Sequence, residues 1–266
     1  MQMRIILLFL SFFILTAITA VHGQLGCQKT NQFTREKLHY TLKYGPVGSA
    51  SACLTAEQTT GNDSLLVISC QMKTSPLTSL LFHIDNLYQS WLNIETGMPL
   101  KTKKMINQTN IRQQFTTIYH YDSLQAHTSD DKSWPILSGC LDLFGFIYHL
   151  RCTNRIKRSH GKVLIDLESH LWSVEVESAP AIDRFKKFKT IKMDRIVATL
   201  KPAGQIIPRA WKTDLLFNRL SKKGAKLVVY LGPPPRRIPY VMEFGSEKEM
   251  IRMQLNTEKS EYCFIE

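Results

Sequence analysis

The 266-residue sequence predicts an all-β protein with minor helix, built as a strongly curved antiparallel sheet or open β-barrel with two short helices. Three observations support this class. Apolar and polar residues alternate with period two along most of the chain, and clusters of turn residues separate the alternating segments. Only two stretches have helical spacing, without the strand–helix rhythm of a parallel α/β sheet. Apolar residues make up 44% of the chain, enough for a large core.

The alternation begins at Leu38, Tyr40 and Leu42, which share one face of the first strand. A clean half-buried strand follows later, where Trp172 and Val174 alternate with polar neighbours. Gly245 lies in the turn of a final predicted hairpin. In order, the predicted strands cover residues 38–42, 49–56, 64–73, 88–94, 115–121, 172–177, 227–231, 240–244 and 250–255.

Helical signals occur at two places. Ser75 is a helix N-cap followed by Pro76, and this pair opens a brief apolar turn over residues 77–82. The second helix is predicted over residues 141–151, with Asp142 as its cap. One face of this helix is apolar at three- and four-residue spacing, through Leu143, Phe146, Ile147 and Leu150.

Residues 1–23 have the layout of a secretory signal peptide: a short start with Arg4, an apolar run over residues 5–21, and Gly23 before the expected cleavage point. We therefore expect export to the periplasm and a single mature β domain over residues 24–266. An uncleaved membrane anchor is an alternative. An outer-membrane lipoprotein attached through Cys27 is disfavoured, because Gln24 stands where a lipobox has an apolar residue.

Six cysteines in an exported chain suggest disulfide bonds. If the predicted hairpin of residues 49–73 centres between Gly61 and Asn62, Cys53 and Cys70 lie directly opposite each other, within disulfide range. Cys140 and Cys152 bracket the second helix and could close it, which leaves Cys27 for Cys263. No short Cys-x-x-Cys spacing indicates a redox or zinc site.

The formal net charge of +12 favours anionic partners, and export favours acidic lipids or glycans over nucleic acid. Two basic runs are candidates for a rim that meets an anionic head group, although solvated faces are the simpler interpretation. The first run contains Arg155, Lys157 and Arg158, and the second contains Lys186 and Lys187.

Motifs of catalysis and cofactor binding are absent from the sequence, which has no Gly-x-Ser-x-Gly, no His-Glu-x-x-His and no P-loop. We therefore predict no catalytic residues, no cofactor and no metal, and a non-catalytic role is favoured over an enzymatic one. The best metal-like cluster has non-standard spacing and is better interpreted as a polar loop; its members are His120, Asp122, His127, Asp130 and Asp131. Glu175 and Glu177 are spaced like glycosidase acids, but exposed strands carry such pairs commonly.

Four stretches resemble a family of bacterial exported proteins known as domain-of-unknown-function family 3108. They cover residues 36–50, 85–100, 141–151 and 227–245, and their order and spacing carry the likeness. One departure is the turn after Leu231, where Gly232 and three prolines replace the family's Ser and Asp. The resemblance implies an antiparallel β-rich periplasmic protein and supplies no activity.

These observations lead to three functional hypotheses. The first is an envelope protein that binds a lipid or other amphipathic anionic molecule, with a membrane surface as a further partner. The concave side of the sheet could hold an apolar ligand or could simply be core. The second is an assembly or structural factor that pairs with another envelope protein through a sheet edge. The third is a hydrolase of envelope polymers, which would need a cleft of acids with perturbed pKa values.

Overall fold

The computed structural model describes residues 33–44, 49–59, 65–152, 163–167, 169–183, 191–203, 213–222 and 224–264. It confirms the predicted all-β class with minor helix, since one sheet that is not closed makes up most of these residues. The described residues contain three short helices where the sequence predicts two. The predicted signal peptide lies outside the described residues.

Sixteen strands are present in these ranges: β1 (Phe33–Tyr44), β2 (Ser49–Gln58), β3 (Leu65–Thr74), β4 (Asp85–Asn93), β5 (Pro99–Gln108), β6 (Ile111–His120), β7 (Gln125–Thr128), β8 (Ser133–Pro135), β9 (Leu141–Asp142), β10 (Val163–Asp166), β11 (Leu171–Asp183), β12 (Ile191–Pro202), β13 (Lys226–Leu231), β14 (Pro239–Ser246), β15 (Glu249–Leu255) and β16 (Glu261–Phe264). The helices are α1 (Pro76–Ser79), α2 (Leu143–Cys152) and α3 (Leu215–Leu220).

The strands follow one another around the sheet in the order β8-β7-β6-β5-β4-β3-β2-β1-β15-β14-β13-β12-β11-β10-β9. Neighbouring strands are antiparallel except β9 and β10, which are parallel. The two halves of strand β1 pair with different strands on the same side: Tyr40–Tyr44 pair with β15, whereas Phe33–Lys37 pair with β16. The first and last described strands are therefore neighbours in the middle of the sheet.

The inner side of the curved sheet is occupied by α2 and α3. Phe146 and Ile147 of α2 are completely buried, and Leu216 and Leu220 of α3 join the same core cluster as inward residues of β1, β4 and β13. The sequence predicts one apolar face on α2, but Phe144 and Tyr148 on its other side are buried too. A helix buried on every side is expected when it lies within a sheet instead of upon it. The concave side is therefore core in the described part of the chain.

Charged groups tie these two helices to the sheet. The Arg151 guanidinium of α2 forms a two-bond ion pair with Glu36 of β1. Asp214 caps the N-terminus of α3, accepting from the amides of Leu216 and Phe217 at 2.8 and 3.3 Å, and also pairs with Lys104 of β5. Because both ion pairs are buried, each fixes its helix in one position against particular strands.

The predicted bond between Cys53 and Cys70 is wrong. The hairpin of β2 and β3 forms as expected, but its register places Cys53 opposite Gln71 and Leu54 opposite Cys70. A shift of one residue sends the two side chains to opposite faces of the sheet. Cys70 is accordingly buried in the core, Cys53 is half-buried on the outside, and both are free thiols.

The predicted bond between Cys140 and Cys152 is wrong as well. Cys140 is a buried free thiol, whereas Cys152 is disulfide-bonded to a partner whose side chain lies outside the described residues. The predicted pairing of Cys27 with Cys263 also falls outside the described side chains.

Candidate functional site: a buried acidic seam and an exposed apolar loop

The two ends of the sheet meet through side chains, in a contact that we call the seam. Tyr119 of β6 and Trp134 of β8 come from one end of the strand order, and Asp166 of β10 comes from the other. The Tyr119 hydroxyl donates to Asp166 Oδ2 at 3.0 Å, and the Trp134 indole donates to the same oxygen at 3.2 Å. Hydrogen bonds to one carboxyl group thus join the two ends of the sheet.

Asp166 is an unusual group to find in this position. Its side chain is buried, and its second oxygen, Oδ1, has no hydrogen-bond partner among the described residues. Burial raises the pKa of Asp166 to about 6, although hydrogen bonds from Tyr119, Trp134 and the backbone of Ser169 act in the opposite direction. The carboxyl group therefore changes its charge within the range of mildly acidic to neutral pH.

A second buried acid, Asp142, lies beside Asp166 on the neighbouring strand. The two residues are register partners of the parallel strands β9 and β10, which places their backbones about 4.8 Å apart. Asp142 Oδ1 accepts the Gly145 amide at 2.9 Å, so Asp142 caps α2 as predicted, and Oδ2 accepts the Ser90 hydroxyl. Burial raises the pKa of Asp142 too, against these bonds.

The surroundings of the two acids are almost entirely apolar. Tyr119, Ala126, Trp134 and Ile136 form a small core of their own at the seam, with Tyr121 packed against it. The Tyr121 hydroxyl donates to the carbonyl of Cys140 at 3.0 Å, which adds another link across the seam. Because both carboxyl groups are shielded from solvent, a negative charge on either acid is poorly stabilised.

A different kind of feature lies between β3 and β4, in residues 75–83, which we call the apolar loop. The side chains of Leu77, Leu80 and Leu81 are 79, 82 and 76% exposed, and Phe82 is 37% exposed. Scattered exposed leucines are ordinary on protein surfaces, but four large apolar side chains within six residues form a local patch.

Polar side chains hold the apolar loop in a fixed shape. Ser75 caps α1 by accepting the Thr78 amide at 3.3 Å, and Ser79 Oγ lies 2.8 Å from His83 Nδ1. The His83 amide then donates to Thr109 Oγ1 at 2.9 Å, which anchors the loop to the neighbouring β5–β6 turn. The leucines are therefore exposed by an ordered local structure, in which the polar groups bond to one another and to the neighbouring turn.

The surroundings of the apolar loop are basic. Lys43, Lys73 and Arg112 lie on exposed strand ends at the same end of the sheet. The nearby acid Asp85 is paired with Lys73 at 3.3 Å. The loop itself contains no acidic, lysine or arginine residue, so the local excess of charge is positive.

The residues predicted as an anionic-ligand rim cannot be placed. Arg155, Lys157, Arg158, Lys186 and Lys187 all lie outside the described residues, and the rim remains a prediction.

The metal-like polar cluster is accounted for by ordinary contacts. The rings of His120 and His127 pack edge to face at 5.4 Å, and Asp130 pairs with Lys132 at 2.5 Å. A cavity of about 150 Å³ lies beside this ion pair and the ring of Trp134. Glu175 and Glu177 are exposed on β11, where Glu175 pairs with Lys201 at 2.7 Å.

Sequence reasoning missed both features of this site. The seam unites residues of β6, β8, β9 and β10, whose spacing carries no local signal. Residues 77–82 were predicted as an apolar helical turn, and their unbroken Leu-Leu-Phe run, flanked by polar Ser and His, was the available sign of an exposed patch.

Comparison with known proteins places this architecture in a family. A model of DUF3108, described as a protein of unknown function, matches residues 38–255, which include nearly all strands and both features of the site. The chain belongs to this family. No curated protein matches this DUF3108 chain.

A solved structure shares the fold of this DUF3108 chain. It is the crystal structure of a β-barrel-like protein of domain of unknown function DUF1849 from Brucella abortus, with a TM-score of 0.54 and 8% sequence identity. The likeness covers 88% of the DUF3108 chain and 99% of the Brucella chain. At this identity the comparison establishes the barrel-like fold alone. None of the helices in the described ranges is long and apolar enough to cross a bilayer.

Proposed function

We propose that this DUF3108 protein is an exported, non-catalytic envelope protein that binds anionic lipid surfaces through its apolar loop. The observation that carries the proposal is the ordered exposure of Leu77, Leu80 and Leu81 within a basic surface. The inner side of the sheet is occupied by α2 and α3. The apolar loop is therefore more accessible to an apolar ligand than the inside of the sheet.

The geometry of the loop fits a bilayer better than a protein groove. The leucines project from a short connection at one end of the sheet, and a convex point of this kind can enter the head-group region without rearrangement. Transferring one leucine from water to an apolar environment contributes about 1.5–3 kcal/mol. Each nearby lysine or arginine adds about 1 kcal/mol at an anionic surface. Lys43 and Arg112 thus add electrostatic attraction to the free energy gained when the leucines enter the bilayer.

Export is part of the proposal and is supported by the sequence of residues 1–23. The disulfide at Cys152 is consistent with an oxidising compartment. Expression of the full chain in a Gram-negative host, followed by fractionation and intact-mass measurement, tests this part. We expect periplasmic protein that begins at Gln24; cytosolic protein that keeps residues 1–23 would contradict export.

Lipid binding is tested by cosedimentation of the purified protein with vesicles of phosphatidylcholine alone or with phosphatidylglycerol. We expect binding to the anionic vesicles that falls steeply with salt. Replacing both Leu80 and Leu81 by Ser should weaken binding at least about tenfold. The matched control is Leu137→Ser, which removes a leucine that is 46% exposed elsewhere on the surface.

Two outcomes would contradict the proposal: no binding to either vesicle, or equal loss of binding in the control variant. Crosslinking in cells that gave one dominant protein adduct, lost in the Leu80/Leu81 variant, would instead favour the assembly-factor hypothesis.

The buried acids give little support to a hydrolase. Asp142 and Asp166 do have raised pKa values. Their oxygens, however, are bonded within the seam to Ser90, Tyr119 and Trp134. A polymer substrate would have to displace these side chains before it reached either carboxyl group.

A further inference from the structure

The seam joins the two ends of the sheet by side chains, without a backbone ladder between β8 and either β9 or β10 in the described residues. Its closure therefore depends on a small number of hydrogen bonds, most of which end on Asp166. A contact of this kind can open without disturbing the ladders on either side, because local opening requires only the loss of its own bonds.

Asp166 is the group on which such opening would depend. Its Oδ1 atom is buried and unpartnered among the described residues, and its strand neighbour is a second buried acid, Asp142. A buried, unpartnered carboxylate oxygen beside another carboxylate is unfavourable when charged, and a proton on one of the two acids removes the conflict. Opening the seam would relieve the same conflict by admitting water.

We infer that the seam is a proton-dependent closure, held shut when Asp166 is protonated and loosened when Asp166 is ionised. Opening would expose the small apolar core around Trp134 and the thiol of Cys140. This inference does not depend on the proposed lipid binding.

The groups that face Asp166 come from several elements. Tyr119 belongs to β6 and Trp134 to β8, and Tyr121 follows β6; Cys140 precedes β9, which contributes Asp142. Burial raises the pKa of Tyr119, Tyr121 and Cys140, so these groups stay neutral over the same pH range. The charge of this set therefore resides on the two acids, Asp142 and Asp166.

Cys140 provides a probe of opening that the chain already contains. The thiol is completely buried at the seam, and a reagent reaches it only when the seam opens. Cys70 is also a buried free thiol, but it lies in the centre of the sheet on β3. Cys70 therefore reports opening of the whole fold, and comparison of the two thiols separates local from global opening.

The experiment measures modification of Cys140 and Cys70 by dithiodipyridine between pH 4.5 and 8, with peptide mass spectrometry to separate the sites. Rates are divided by those of the urea-unfolded protein at the same pH. We expect the protection of Cys140 to fall about ten- to hundredfold as pH rises through the titration of Asp166. The protection of Cys70 should change much less.

Three variants define the cause. Asp166→Asn should abolish the pH dependence of Cys140 protection, and Asp142→Asn should move the transition to lower pH by removing a like charge. The matched control is Asp122→Asn, an exposed acid in the β6–β7 turn, which should leave the profile unchanged.

The inference is overturned if Cys140 protection in the unaltered protein is flat across this pH range, or if Cys140 and Cys70 respond alike. A pH profile that persists in Asp166→Asn would overturn it as well. If that variant does not fold, the profile of the unaltered protein and the shift in Asp142→Asn still decide the question.

Discussion

Arg151 and Glu36 form a two-bond ion pair in the interior, with nitrogen–oxygen distances of 2.7 and 2.8 Å. The remaining groups of both side chains are satisfied. Tyr148 donates to Glu36 at 2.9 Å, and Arg151 Nε donates to the carbonyl of Arg237 at 3.2 Å. This arrangement joins α2, β1 and the β13–β14 connection at one point.

Breaking this pair from one side should be costly. We expect Arg151→Met to reduce the free energy of unfolding by about 3–5 kcal/mol, because Glu36 would keep a buried charge without its partner. The double variant Glu36→Gln/Arg151→Met should lose less than the sum of the single variants. Urea unfolding measures all three. The exposed pair of Glu175 and Lys201 is the control, and Lys201→Met should cost less than about 1 kcal/mol.

A loss below about 1 kcal/mol in Arg151→Met, similar to that of the exposed control, would mean that the buried pair contributes little to the fold.

Asp166 should make the stability of the protein depend on pH. Its pKa is about 6 in the folded chain and 3.8 in an unfolded one. Between these values the folded state holds more protons, so the free energy of unfolding falls as pH rises. The ionised Asp166 lowers the free energy of unfolding by about 1–3 kcal/mol. This loss is fully present above pH 6 and absent below pH 4.

Asp166→Asn removes this titration. Relative to the unaltered protein, the variant should gain stability as pH rises from 4 to 7, and urea unfolding at several pH values measures the difference. A difference that is constant with pH would show that folding does not shift the pKa of Asp166, and one that shrinks as pH rises would show that folding lowers this pKa.

Gly145 is required by the cap of α2. A Cβ atom at this position would lie 2.6 Å from Asp142 Oδ1 and 3.3 Å from the carbonyl oxygen of Gly97. Gly145→Ala should therefore destabilise the protein by about 1–3 kcal/mol, as expected for overpacking in a core. Thermal or urea unfolding checks the loss.

A double variant identifies the contact responsible. Serine caps helices as well as aspartate does and has a shorter side chain. In the Asp142→Ser background, Gly145→Ala should cost less than it does alone. An equal cost in both backgrounds would assign the clash to the Gly97 carbonyl and the Leu92 side chain instead.

Elements with a strong local signal could be predicted from the sequence. Strand β13 was recognised because an apolar run ends at Gly232, and the cap of α2 because Asp142 precedes its helical spacing. Strand β5 was missed, since Lys101, Lys103 and Lys104 resemble a solvated segment. The structure turns Lys104 inward to Asp214, a partner that no local pattern reveals.

Register and long-range contacts could not be predicted for a related reason. Strands β2 and β3 could pair in two registers one residue apart, and that ambiguity explains the error over Cys53 and Cys70. The α3 helix has only six residues and was missed, because its stability comes from Asp214 and from burial rather than from periodicity. The residues of the seam lie on separate strands that only the folded chain brings together, so no local pattern in the sequence predicts their contact.

The position of β1 in the middle of the sheet has a consequence for synthesis. One neighbour of β1 is made immediately, but His39 is bonded to Ser260, 221 positions later in the chain. At ordinary rates of translation, Ser260 is synthesised about 10–40 s after His39. Wherever β1 and β2 pair before the C-terminal strands are available, β1 has an unpaired edge that could join another chain. Holding chaperones should therefore improve the yield of this fold more than they improve that of proteins whose neighbouring strands are made in succession.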